Sequence, residues 1–335
     1  MALTPLKLHF IGSFQNEMAH YFSEDPLAEV WDHVSRLGTS SFQQRHFIPD
    51  KKDIPWDKYL KYTQIRIRQS IEFREASSSA SIITSPLSLY YSFLSLTRAF
   101  LALGPEIMPK EAHGLKFIKS NDLLTSRAVL TKGTFTDYLD SLDIPWQKDD
   151  EITLSEALGF IIELANDYQI FDQNSSRVQT ISVKAIMQGP ARLVFHNPSK
   201  DFEGNWAKKF PQLADTCSFE TPGCLLINDQ EIGKDYQHVA QYLSTHLLPS
   251  LTLLNNAVWY AFIHNDKAIQ LSRVGYYYVA MFILGSAVRY EPELILPVSA
   301  PDSEVGWLLR RFLNQAERYF PQLKLAEFYN SEIYF

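Results

Sequence analysis

Cysteine is nearly missing: Cys217 and Cys224 are the two in 335 residues. That excludes a disulfide framework and a cysteine-based metal site. Glycine is also scarce, at 13 residues, and no G-x-x-x-x-G-K-[ST], G-x-G-x-x-G or G-x-S-x-G pattern occurs. A phosphate cradle of backbone amides and a nucleophile elbow are therefore not encoded. H-E-x-x-H is missing as well, and the nine histidines are scattered. His238 and His246 fall on one predicted helix but two turns apart, a poor spacing for a metal. No metal and no cofactor are expected. There is no basic excess either: the net charge is −7, so any nucleic-acid contact has to come from a local patch. No apolar run reaches the roughly 18 residues of a membrane span; the nearest, 274–288, is closed by Arg273 and Arg289. The opening residues "MALTPLKLHFIGSF" lack the apolar core of a signal peptide. A cytoplasmic protein without membrane contact is expected.

What is present is an ordinary globular composition, 46% apolar and 21% charged, enough to build a sizeable core. Periodicity near 3.6 predicts a short helix near 26–37 and a long one from "PWDKYLKYTQIRIRQSIEFREASS". It predicts another over "SPLSLYYSFLSLTRAFLALG", residues 85–104. On this last helix Leu87, Tyr91, Leu94, Arg98 and Leu101 share one stripe. Leu89, Phe93, Leu96, Phe100 and Leu103 share a second, and Ser88, Ser92, Ser95, Ala99 and Ala102 a third of small residues. A helix apolar on two faces and small on the third is expected at the centre of a core. Its Arg98 must then find a carboxylate, carbonyls or an aromatic face, because an unpaired buried guanidinium costs several kcal/mol. "TLSE" at 153–156 reads as a capping box, with its helix continuing through "ALGFIIELANDY".

Between 175 and 230 the pattern shortens to β-branched and alternating segments, "RVQTISVKAIM", "ARLVFH", "CSFE" and "CLLIND". Helical pattern resumes in "YQHVAQYLSTHL", "PSLTLLNNAVWYAFIHN" and "QLSRVGYYYVAMFILGSAVRY". It returns in "SEVGWLLRRFLNQAERYF", where Pro321 is expected to end the helix. The expected fold is mainly α: a helical bundle core with a small β-containing insertion. The expected divisions are a partly irregular N-terminal region (1–55), a helical part (56–174), the insertion (175–230), and a C-terminal helical part (231–335) packing on the first.

Two stretches carry a resemblance. "PLSLYYSFLSLTRAFLALG" followed by "AHGLKF", and "YYYVAMFILGSAVRYEPE", together resemble the YaaC-like family of bacterial proteins. The Tyr-Tyr helix followed by His-Gly also looks like the wider HEPN superfamily of helical bundles. Many HEPN members are ribonucleases, toxins or antiphage components, and they often dimerise. That superfamily's nuclease signature is an arginine and a histidine with four to six residues between them. No arginine here meets that spacing; Arg192 and His196 come nearest, in a predicted strand. The resemblance thus implies an interaction or ligand-sensing component, with self-association or a protein partner, in a defence or toxin-like system. A ribonuclease with an atypical Arg/His site and a nucleotide-binding protein or enzyme are the alternatives.

The site residues follow from the same segments. Arg98, His113 and Arg289 are the candidates for any catalysis. With Tyr91 and Tyr290 they are the candidates for holding an anionic ligand. The opposing reading is that each arginine ties helices together, Arg289 through the last carbonyls before Pro292. Lys58, Lys61, Arg66 and Arg68 form a candidate nucleic-acid face, against the plainer reading of a solvated helix face.

Overall fold

The computed structural model describes residues 23–46, 54–172, 176–184, 190–229, 232, 236–251, 258–264, 269–329 and 333. Residues 1–22 and 47–53, much of the expected N-terminal region 1–55, lie outside the described residues. In chain order the elements are α1 (Pro26–Leu37), α2 (Ser40–His46), α3 (Trp56–Ser78), α4 (Ser85–Leu103), β1 (His113–Ile118), β2 (Arg127–Gly133), α5 (Thr134–Ser141), β3 (Glu151–Thr153), α6 (Leu154–Gly159), α7 (Ala165–Phe171), β4 (Val178–Lys184), β5 (Arg192–Phe195), α8 (Phe202–Lys209), α9 (Pro211–Ala214), β6 (Cys217–Thr221), β7 (Cys224–Ile227), α10 (Tyr236–His246), β8 (Leu248–Pro249), β9 (Val258–Phe262), α11 (Arg273–Tyr290), α12 (Leu296–Ser299) and α13 (Glu304–Tyr329).

This corrects the expected fold class. Among the described residues 57% are helical and 16% are in strands, and the strands form two antiparallel sheets of three and six strands. The protein is mostly helical but is not a helical bundle with a minor insertion. One sheet, β1-β2-β3, lies within the stretch expected to be helical. "RAVLTK" shows why: Ala128 and Leu130 are buried while Val129 and Thr131 are only partly covered, the period of two of a strand with one inward face. A second departure is "VWYAF", expected in a helix. It is β9 and pairs with β4, as its aromatic and β-branched residues favour. A third is Pro321, which lies inside α13 rather than ending it. The turn around it, from Tyr319 to Ala326, is buried throughout, so packing holds the helix together across the lost hydrogen bond.

The chain divides into two compact units, one over residues 159–268 and one over the described residues 23–158 with 269–333. The first holds the six-stranded sheet in the order β6-β7-β5-β4-β9-β8. Its apolar face, Ile181, Leu193, Phe195 and Leu225, packs with Phe202, Phe210, Tyr242 and Leu243.

In the second unit α4 is central. It packs against α3, α5, α11 and α13, and from Ser92 to Leu103 every residue is buried. The small-residue stripe receives α3: the Ser92 hydroxyl donates to the Ser70 carbonyl at 2.7 Å. On another side α11 comes close at Gly285, where an added Cβ would lie 3.0 Å from the Tyr90 Cβ. Towards α13, Phe93 stacks on Phe320 with centroids 3.7 Å apart. The capping box forms as written, with the Thr153 amide donating to Glu156 Oε2 (2.9 Å) and the Glu156 amide to Thr153 Oγ1 (3.2 Å). A second buried cation also appears. Lys324 Nζ pairs with Glu327 Oε2 at 2.6 Å and sits 3.9 Å and 4.1 Å from the ring centroids of Phe100 and Tyr138.

Candidate functional site

The site begins with the step His113-Gly114. Gly114 has φ +84°, and a Cβ there would meet the Phe135 amide nitrogen at 2.7 Å. Gly133 lies across from His113 in the β1–β2 ladder, beside an irregularity between His113 and Leu115. A Cβ on Gly133 would lie 2.4 Å from the Gly114 nitrogen. Both strands are bare where their backbones nearly touch, as such an approach requires. The irregular step brings His113 to α4.

There the Tyr90 hydroxyl meets His113 Nδ1 at 2.5 Å. Burial, and next the neighbouring Tyr278, push the Tyr90 phenol well above its ordinary value. The His113 imidazole moves the other way, lowered by burial and then by the Arg98 and Arg289 guanidinium groups. Both are neutral at pH 7, and the tautomer sets the direction of this bond: with the imidazole proton on Nε2 the phenol donates to Nδ1, and with it on Nδ1 the imidazole donates to the phenol oxygen. Next to this pair, Arg289 Nη1 donates to the Tyr91 hydroxyl at 2.9 Å. Its guanidinium also lies 5.0 Å from the centroid of the Tyr290 ring. Tyr91 is itself stacked on Phe73, centroids 5.4 Å apart, so the group that orients Arg289 is fixed by packing. Phe282, 5.5 Å from Tyr90 and 6.5 Å from His113 between ring centroids, completes the aromatic wall.

Arg98 lies beneath, 6% exposed. Its Nε donates to Thr134 Oγ1 at 3.1 Å, and its Nη2 donates to the carbonyls of Lys110 (3.3 Å) and Glu111 (2.5 Å). Thr134 Oγ1 in turn lies 3.0 Å and 3.1 Å from the Lys110 and Ala112 carbonyls. Arg98 therefore pins the segment that leads directly into His113. It uses carbonyls, not a carboxylate. Arg98 and Arg289 share no hydrogen-bond partner among the described residues, and what links them is that both act on His113. Glu291 is held elsewhere, with Glu293, by Lys119 at 2.5 Å.

The structure thus brings Tyr91, His113 and Arg289 together with Tyr290 at the edge, 60% exposed, and sets Arg98 behind them. Tyr90, Tyr278 and Thr134 are participants that the sequence reading did not single out. The Tyr-Tyr pair was the available signal for Tyr90.

Three of the four basic residues of the α3 stripe share one exposed side. Lys58, Lys61 and Arg68 are exposed on one side together with Asp57, Ile65 and Glu72. Arg68 Nε pairs with Glu72 at 3.2 Å. Arg66 is turned away, donating to Gln69 Oε1 at 3.0 Å with its guanidinium 4.9 Å from the Tyr62 ring centroid. Among the described residues no group of three or more His, Cys, Asp or Glu could hold a metal, and no helix is long and apolar enough to cross a membrane.

A family model described as YaaC-like protein matches residues 33–328. No curated protein and no solved structure matches the chain.

Proposed function

The chain belongs to the YaaC-like family, and from that premise we propose that it is a non-catalytic interaction or ligand-sensing protein that recognises an anionic group at Arg289, Tyr91 and His113. The observation that carries this is the state of Arg289. Its guanidinium is exposed, oriented by the Tyr91 hydroxyl and the Tyr290 ring, and has no carboxylate partner among the described residues. A fixed cation whose donors are left over suits a phosphate or carboxylate.

His113 supports binding over chemistry. We assign the Nε2–H tautomer, in which Tyr90 occupies the Nδ1 lone pair and the neutral imidazole offers an N–H at Nε2 and no free basic nitrogen. It can donate to an anion but is a poor general base, which weighs against the ribonuclease alternative. By analogy with the HEPN superfamily, the biological setting we propose is a bacterial defence or toxin-like system with a protein partner or a second copy.

Thermal unfolding in the presence of phosphate, sulfate and a panel of nucleotides tests the reading. Stabilisation that vanishes in Arg289→Met is expected, with RNA left intact by the same preparation. RNA cleavage that is lost in a folded His113→Ala variant would overturn the non-catalytic assignment.

A further inference from the structure

We propose that anion binding at Arg289 is coupled to uptake of one proton by His113, so that the site holds anions more tightly in acid than at neutral pH. The inference rests on the anion-binding reading above and adds its regulation. His113 is enclosed by groups of one charge sign. From α4 it meets Tyr90 and Tyr91 and from α11 Phe282, and Arg289 is tied to this group through the Tyr91 hydroxyl; the Arg98 and Arg289 charges both act on the imidazole. Asp137 of α5 pairs with Lys110 at 2.5 Å and Glu291 pairs with Lys119, while Glu111, two residues before His113, is exposed. The charged groups acting on the imidazole are the two guanidinium groups.

A proton on His113 would therefore face two positive charges with no compensation. An anion seated on Arg289 supplies the compensation. It offsets the Arg289 charge, and it can accept from the Nε2 proton. By linkage, a ligand that favours the protonated imidazole is itself bound more tightly when that proton is present.

The second observation is an acceptor for the rearrangement. In the Nε2–H tautomer assigned above, protonation places a hydrogen on Nδ1, where Tyr90 donates. The Tyr90 oxygen then has to accept, and its own hydrogen needs another partner. Tyr278 provides one. Its ring is fully buried and 5.8 Å from Tyr90 between centroids, and its hydroxyl makes no hydrogen bond of ordinary length. Rotation of the Tyr90 O–H from His113 towards the Tyr278 oxygen completes the exchange. One solvent proton is taken up, and no covalent bond between heavy atoms changes.

Sulfate is the suitable probe, because its charge is constant between about pH 5 and 8, where histidine titrates. Its dissociation constant is measured across that range on the full chain. Affinity is expected to rise by up to about tenfold per pH unit over the window between the free and bound His113 pKa values. The His113 imidazole resonance, identified by its loss in His113→Asn, is expected to titrate at higher pH with sulfate than without. His113→Asn is expected to bind with an affinity flat in pH. Tyr278→Phe removes a hydroxyl without an ordinary partner and is expected to lose most of the gain in acid. Saturable binding that is lost in Arg289→Met but flat in pH for the unmodified chain overturns this coupling and leaves the anion site standing. Absence of sulfate binding at every pH overturns both.

Discussion

Arg98 and Lys324 are both buried cations in the same compact unit, and they are satisfied in opposite ways. Arg98 spends its donors on neutral oxygens, the carbonyls of Lys110 and Glu111 and the Thr134 hydroxyl. Lys324 is enclosed by the Phe100 and Tyr138 rings and paired with a carboxylate, whose other oxygen accepts from Tyr138 at 2.6 Å. A guanidinium presents several donors in a rigid plane and keeps its charge, so it can organise a loop of carbonyls. An ammonium group is a compact charge that burial can neutralise. Burial lowers the Lys324 pKa, and Glu327 opposes that fall. The first cation shapes the approach to His113, and the second fastens α13 to α4 and α5.

Breaking the lysine cage is expected to have the largest effect. Lys324→Ala leaves the Glu327 carboxylate part-buried and short of its cation, at a cost of about 3–5 kcal/mol in denaturant unfolding. Replacing both charges, Lys324→Met with Glu327→Gln, should cost far less than the sum of the single changes. Additive losses would show that the two side chains act separately.

Arg98→Met comes next, at about 1–3 kcal/mol, because buried carbonyls lose their donors. It should also weaken anion binding, since the segment before His113 is no longer pinned. A loss of stability with unchanged anion affinity would confine Arg98 to the core.

The comparison also has a pH dimension. The folded pKa of Lys324 lies below the ordinary value of 10.5, so between the two the unfolded chain holds the extra proton. Stability relative to Lys324→Met should therefore rise with pH across that window and show no lysine-dependent slope below it. A gap that narrows towards alkaline pH would contradict the lowered value.

Smallest is Arg289→Met, expected to change stability by less than about 0.5 kcal/mol, as for surface positions generally, while abolishing the response to anions. A large destabilisation would make Arg289 a structural tie instead.

Much of α4 was legible beforehand. Its apolar stripes and Gly104 stop follow from side-chain spacing alone, and Arg98's need for an enclosed partner followed from the cost of burying a charge. The Thr153–Glu156 box was equally plain, because both partners lie within one turn. Less could be read of the contacts between segments. The small stripe of α4 faces α3, while Gly285 of α11 makes room for Tyr90; periodicity gives faces but not the neighbours they meet. The strands β1 to β3 are hard to read from sequence because each is short and only β2 alternates clearly. Lys324 lies beyond Pro321, where the local rule ended the helix.

What the sequence determined by itself was local: which segments are amphipathic, where caps lie, and which buried charges need partners, all set by residues a few positions apart. Tertiary structure decided which partners answer. Tyr90 and His113 are 23 positions apart and Tyr91 and Arg289 are 198 apart. They meet because the bare crossing of Gly114 and Gly133 aims His113 at α4, and because Gly285 lets α11 approach α4 closely. No local pattern encodes a contact whose geometry depends on how two distant backbones cross.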